Sequence, residues 1–177
     1  KIKELNNYKK NAISENNEER ANELWLLEHI FIIKKLYISA YNDLFENKYR
    51  DSWEKLEGIE ICLNQIAANF NDEVFAQYNL NLIRNNVYAF QKLFPYFMFA
   101  SRESVILEEK CSICGKKITL RNTCNHKVGK LYMGEMCYRI IERLDLKAIA
   151  LVTNPFDKYA VLTPADKEYN YYALEEL

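Results

Sequence analysis

The tightest constraint on this 177-residue chain is the segment from Cys111 to Cys137, which holds four of its five cysteines and one of its two histidines. Cys111-Ser-Ile-Cys114-Gly is a knuckle pattern: two thiolates three positions apart can grip one ion from a tight turn, and Gly115 relieves the backbone where that turn closes. More donors follow at Cys124, His126 and Cys137. A redox dithiol would have no use for them, and the βαβ setting of a thioredoxin-like motif is missing. A Cys/His nucleophile is a poorer reading still, since no third group orients the pair and no oxyanion hole is marked. The expected centre is one structural zinc. Cys111, Cys114 and Cys137 are its firmest ligands. Cys124 and His126 lie two apart, so in extended backbone both face one side and compete for the fourth place. Cys124 is slightly favoured, with His126 as the alternative ligand or a group behind the ligands. A full tetrahedral shell leaves no open position for water, so the expectation is structure, not catalysis.

The rest of the chain reads as helix. Only four Gly and three Pro accompany a hydrophobic fraction of 49% and an aromatic fraction of 14%, which favours long regular elements around a real core. Apolar residues at three- and four-residue steps predict helices over 14–47, 49–69 and 73–100, with Pro95 kinking the last or ending it early. Ser14, followed by Asn16, Glu18 and Glu19, is the expected helix start. Short joints make antiparallel packing the simplest arrangement. Residues 41–63 have the feel of one tetratricopeptide-type hairpin, but no second copy follows at a fixed period. Cys62 is read as a small buried hydrophobe. After Cys137, residues 138–144 are predicted helical. The runs 147–153 and 158–163, separated by the turn signal Asn154-Pro155-Phe156-Asp157, are predicted as strand–turn–strand. The fold class is therefore mainly α: an antiparallel helical domain, 1–103, followed by a small α+β zinc module, 104–177.

Several resemblances rest on these residues. A knuckle, an irregular hairpin and a ligand, Cys137, at the start of the predicted helix together resemble the treble-clef type of zinc finger. The string Cys111-x-x-Cys114-Gly115, then Cys124-x-His126-x-x-Gly129-x-x-Tyr132-x-Gly134-x-x-Cys137, resembles a zinc motif of uncharacterised bacterial and phage-associated proteins. Residues 149–162 are similar to the strand–turn–strand that prohead protease families carry as a valine-threonine-x-proline motif. Protease activity does not come with that likeness, because no His/Ser catalytic pair is recognisable and His29 and His126 are the only histidines. Gly129 and Gly134 are expected in turns, with Tyr132 packed between them.

Charge divides the functional readings. The whole chain has a formal net charge of -1, but residues 110–143 carry eight Lys/Arg against two acids. Such segregation fits an anionic partner, or cations that offset the thiolates. The first expectation is a non-enzymatic recognition or adaptor protein that binds a protein partner or itself. The second is nucleic-acid binding, with Lys116, Lys117, Arg121, Lys127 and Lys130 tracking phosphate while Tyr132 and Tyr138 stack. An enzyme is third: Glu57 with Glu60, or Glu108 with Glu109, could serve as carboxylate pairs, and no small-molecule substrate is evident. The polar opening KIKELNNYKK shows no secretory pattern, and Glu28 and His29 interrupt the longest early apolar run. The expectation is a cytoplasmic protein with no membrane span.

Overall fold

The computed structural model describes residues 1–163 and 168–176. About half of the chain is helical and a small antiparallel sheet supplies the rest of its regular structure, so the fold is a mixture of α and β. Helices α1 (Ile2–Ser14), α2 (Glu18–Phe45) and α3 (Tyr49–Asn69) pack in series. The first expected helix, 14–47, is α2 alone, and α1 precedes it as a helix that the sequence reading does not include. Ser14 ends α1, and the start of α2 is capped by Asn17, whose side chain accepts from the Arg20 N–H at 3.0 Å. The expected third helix is broken, into α4 (Asp72–Gln77) and α5 (Leu80–Gln91). Asn16, Asn47 and Asn79, all with φ between 54° and 57°, mark the α1–α2, α2–α3 and α4–α5 joints, and the second of these falls where it is expected. Asparagine enters the left-handed region more readily than other residues with a side chain, so the helices are punctuated without glycine.

The core lies where Ile30 and Ile33 of α2, Leu56, Ile59, Leu63 and Ile66 of α3, and Leu80, Ile83 and Val87 of α4–α5 meet. Trp53 anchors its far end. Its ring packs on Phe94, Tyr96 and Phe99, and its Nε1–H donates to the Lys158 carbonyl at 2.9 Å. Phe94 and Tyr96 flank Pro95, which donates no backbone hydrogen bond, and the chain leaves helix here. Tyr171, in the C-terminal segment, stacks on Tyr49 with ring centroids 4.1 Å apart, and a short α6 (Tyr172–Glu175) buries Leu174. A small second cluster joins Ala12 of α1 to Ala21 and Leu24 of α2. Beside it Lys9 and Glu28 form a buried ion pair at 3.0 Å. Cys62 is half-buried against the main core. No helix of the described residues is long and apolar enough to cross a membrane.

Two long strands replace the expected helix after Cys137. β1 (Phe99–Cys111) pairs antiparallel with β5 (Arg139–Val152), and β2 (Lys117–Ile118) adds to β1, giving the order β2-β1-β5. Residues 139–144 are therefore strand, not helix. Ile140 and Ile141 pair with Lys110 and Glu109, and that long-range ladder overrides a helix-compatible local pattern. The strand–turn–strand is corrected too. Residues 147–152 are the end of β5, whereas Val161 makes a single bridge to Phe99, so the two runs flank β1 instead of pairing with each other. The position between residues 103 and 104 falls inside β1, and the Trp53 cluster draws side chains from both sides of it. Among the described residues no helix packs against the middle of the β1–β5 ribbon, and residues 141–151 are exposed throughout.

Candidate metal centre

The ribbon ends in the cysteine cluster. Cys111, the last residue of β1, is fully buried. The chain turns back at once: the Gly115 N–H donates to the Cys111 carbonyl at 2.9 Å, and the Cys111 N–H donates to the Lys116 carbonyl at 3.0 Å. Gly115 has φ 68°, the left-handed conformation that this turn requires. Cys124 and His126 come from the loop after the Thr119–Asn122 bridge. Cys137 follows a small hairpin of β3 (Leu131–Tyr132) and β4 (Glu135–Met136). It is held by its N–H donating to the Lys130 carbonyl at 2.9 Å and its carbonyl accepting from Gly129 at 2.8 Å.

The ligand atoms of Cys111, Cys114, Cys124 and His126 all lie within 4.8 Å of one another. Cys137 stands outside that mutual set, yet its Sγ is 3.9 Å from that of Cys111. Two thiolates on one tetrahedral zinc, with Zn–S near 2.3 Å, would be about 3.8 Å apart. Four of the five donors named from the sequence thus form one set that includes both Cys124 and His126, while Cys137, expected among the firmest ligands, adjoins it at Cys111. All five cysteines are free thiols. The His126 Nδ1 is buried and has no hydrogen-bond partner among the described residues, although the ring touches Tyr132 edge-on at 4.7 Å. A buried imidazole nitrogen without a partner is costly unless it meets a cation or a donor. Three thiols and one imidazole nitrogen within one small sphere are a donor set that fits a thiophilic, tetrahedral metal ion.

The electrostatics favour deprotonation at one point. Burial pushes the Cys111 thiol up, but the backbone N–H groups of Cys114 and Ile113 and the thiols of Cys124 and Cys114 outweigh it and hold it down at about 6. Cys114 lies above its ordinary value: the Lys116 backbone pulls it down, but burial and the neighbouring Cys111 and Cys124 prevail. Cys137 is raised by burial first and then by Cys111. One thiolate surrounded by thiols is a preorganised receptor; a bound divalent cation would release the remaining protons.

Residues outside the donor set tie the centre to the helices, and nothing in the sequence singled them out. The Ser112 Oγ accepts from the Tyr138 N–H at 3.0 Å and donates to the Met136 carbonyl at 3.3 Å, joining the knuckle to the Cys137 segment. Asn69, the last residue of α3, donates to the Gly129 carbonyl at 2.8 Å and accepts from the Leu131 N–H at 3.0 Å. On α2, Asn22 accepts from the Gly134 N–H at 2.7 Å. Tyr132 packs as expected and its hydroxyl accepts from the Lys127 N–H at 2.9 Å.

The basic residues are less available than their number implies. Lys117 pairs with Glu108 at 3.1 Å, Arg143 with Glu108 at 2.9 Å, and Lys110 with Glu142. Lys116 donates to the Thr123 carbonyl and Lys130 to the Ala68 carbonyl at the end of α3. Arg121 and Lys127 are exposed and make no ion pair among the described residues. Of the carboxylate pairs, Glu108 is engaged in the salt bridges above. Glu57 is buried and accepts from Gln91 at 2.6 Å, while Lys158 lies between Glu57 and Glu60. Comparison of the chain with family models, curated proteins and solved structures finds no match.

Proposed function

We propose that the chain is a zinc-stabilised, non-enzymatic recognition protein whose partner is a protein. The observation that carries this reading is the placement of a thiol/imidazole cluster at the root of a long β-ribbon whose apolar side chains are left uncovered. Zinc held by Cys111, Cys114 and Cys124, with His126 or Cys137 completing the shell, would cross-link the end of β1 to the loop and hairpin that dock on α2 and α3. The ribbon is then fixed at both ends, by the metal at one and by the Trp53 cluster at the other. Fixing matters because an isolated two-stranded ribbon is marginal in water. A rigid, exposed apolar strand pair is a surface suited to proteins. Thiols kept as ligands suit a reducing compartment such as the cytoplasm.

Nucleic-acid binding is the weaker reading, because much of the basic segment is spent on internal ion pairs and backbone carbonyls. The test has two parts. Elemental analysis of the purified, reduced chain should give one zinc, with Cys111→Ser removing it. Comparing Cys124→Ser, His126→Ala and Cys137→Ser then identifies the remaining ligands. A fluorescent single-stranded oligonucleotide titrated at 50 and 200 mM salt should show no saturable binding. Tight binding that falls steeply with salt and is lost in Arg121→Glu/Lys127→Glu would replace the protein-partner reading by the nucleic-acid one.

A further inference from the structure

We infer that the uncovered face of the β1–β5 ribbon is the contact surface for a second copy of this chain, packed face to face about a two-fold axis. The inference rests on the recognition reading above and names its partner. The register defines the face. Ala100, Arg102, Ser104 and Ile106 alternate along β1 and so share one side of the sheet. Their partners are Leu151, Ile149, Leu146 and Leu144. Lys147 has no residue opposite it, because Glu103 pairs with Ala148 and Ser104 with Leu146. This bulge shifts the phase of β5 by one residue, so that leucines at 144 and 146 and apolar residues at 149 and 151 stay on one face. Two further irregularities, at Leu107 and Glu142, bring Glu109 opposite Ile141 on that same face. The other face carries Ser101, Glu103, Val105, Asp145, Ala148 and Ala150 and the Glu108–Arg143 ion pair, and is smaller and more polar.

Ile106, Leu144, Leu146, Ile149 and Leu151 are 47–65% exposed. Uncovered side chains of this size present roughly 500 Å² of apolar surface, which is at the upper end of what monomeric proteins leave open. Two such faces together bury about 1,000 Å², the scale of a weak but specific dimer once the polar rim is added. A two-fold axis between the Ser104–Leu146 and Ile106–Leu144 pairs makes the face self-complementary. Leu146 then meets Ile106 and Leu144 of the second copy, and Ile149 meets Ile141. Glu109 is held within its own chain by Arg139 at 4.0 Å and Arg102 lines a cavity beside Ile61 and Asn64 of α3, so the contact rests on the apolar side chains.

Sedimentation of the full, zinc-loaded chain from 2 to 200 µM tests this. The native chain should dimerise with a micromolar dissociation constant. Leu146→Glu and Ile149→Glu should each weaken the dimer about tenfold or more while circular dichroism and zinc content stay native. A native chain that is monomeric at 200 µM overturns the inference, and its sedimenting instead with phosphatidylcholine–phosphatidylglycerol vesicles would assign the face to lipid. A dimer unaffected by Leu146→Glu and Ile149→Glu, but lost on Phe45→Glu, overturns it as well by placing the contact elsewhere. The recognition reading fails on a separate result, salt-steep binding of the oligonucleotide.

Discussion

Gly134→Ala tests how the metal-bearing hairpin is seated on the helices. Gly134 is buried between β3 and β4 with φ 71°, a conformation that costs a residue with a Cβ about 1 kcal/mol or a little more. A Cβ placed there would lie 2.9 Å from the Ala21 carbonyl oxygen and 3.0 Å from Lys9 Cδ. The lysine stem can shift only at the expense of its buried pair with Glu28, and the carbonyl belongs to the body of α2. Overpacking of this kind costs about 1–3 kcal/mol, so the total is about 2–4 kcal/mol. Gly129→Ala is the matched control: its φ is 79°, but a Cβ there meets nothing within 4 Å, so only the conformational cost of about 1 kcal/mol applies. Urea unfolding at saturating zinc, followed by far-ultraviolet circular dichroism, should show Gly134→Ala less stable than Gly129→Ala by about 1–3 kcal/mol at unchanged m. Equal costs for the two variants would mean that the hairpin does not bear on α2, and that the metal centre and the helical body are mechanically independent.

Glu57 should make stability pH-dependent. Burial, opposed by Lys158 and Gln91, raises its carboxyl from 4.5 to about 7. Below pH 4.5 the group is protonated in both states and its stabilising contribution is fully present. Between pH 4.5 and 7 the unfolded chain ionises while the folded one keeps its proton, so stability falls, by about 3 kcal/mol in all. Glu57→Gln should flatten that decline in the pH profile of urea midpoints. Lys9→Met leaves Glu28 buried with only Asn6 as a partner, and should cost about 3 kcal/mol, whereas Lys9→Met/Glu28→Leu should recover most of it. Chelation of the metal should lower the urea midpoint of the native chain. Acidification should release the metal as the thiolates protonate, with zinc-indicator dye rising as pH falls.

The candidate donor cluster is legible because the spacing of cysteines is itself chemistry: Cys111, Cys114, Cys124 and His126 come together, whereas Cys137, expected among the firmest ligands, meets them through Cys111 alone. Helices α2 and α3 were legible from periodicity, since their buried residues Leu24, Ile30 and Ile33, and Leu56, Ile59, Leu63 and Ile66, recur on one face. The joint at Asn47 falls where periodicity places it, but α1 and the break at Asn79 are not legible: a scarcity of glycine suggests continuity through 73–100, whereas Asn79 takes a left-handed turn that an asparagine in a polar stretch does not advertise. Asn22 and Asn69 were invisible as docking residues for a similar reason, because a polar side chain on a helix looks the same whether it meets water or a hairpin.

The ribbon shows a deeper limit. Residues 138–144 combine isoleucines, arginines and a glutamate at spacings that suit a helix, and their strand character comes from β1, some thirty residues earlier in the chain. Their neighbours Leu144, Leu146, Ile149 and Leu151 fit neither a period of two nor one of 3.6. The skipped beat at Lys147 makes the pattern intelligible: one extra residue, placed where Glu103 gives way to Ser104, carries the apolar series across the bulge on one face. A chain indifferent to which side of the ribbon is apolar would not need this phase shift. That the shift keeps the leucines together, on a face that no helix among the described residues covers, is the strongest reason to look for what covers it in a second molecule.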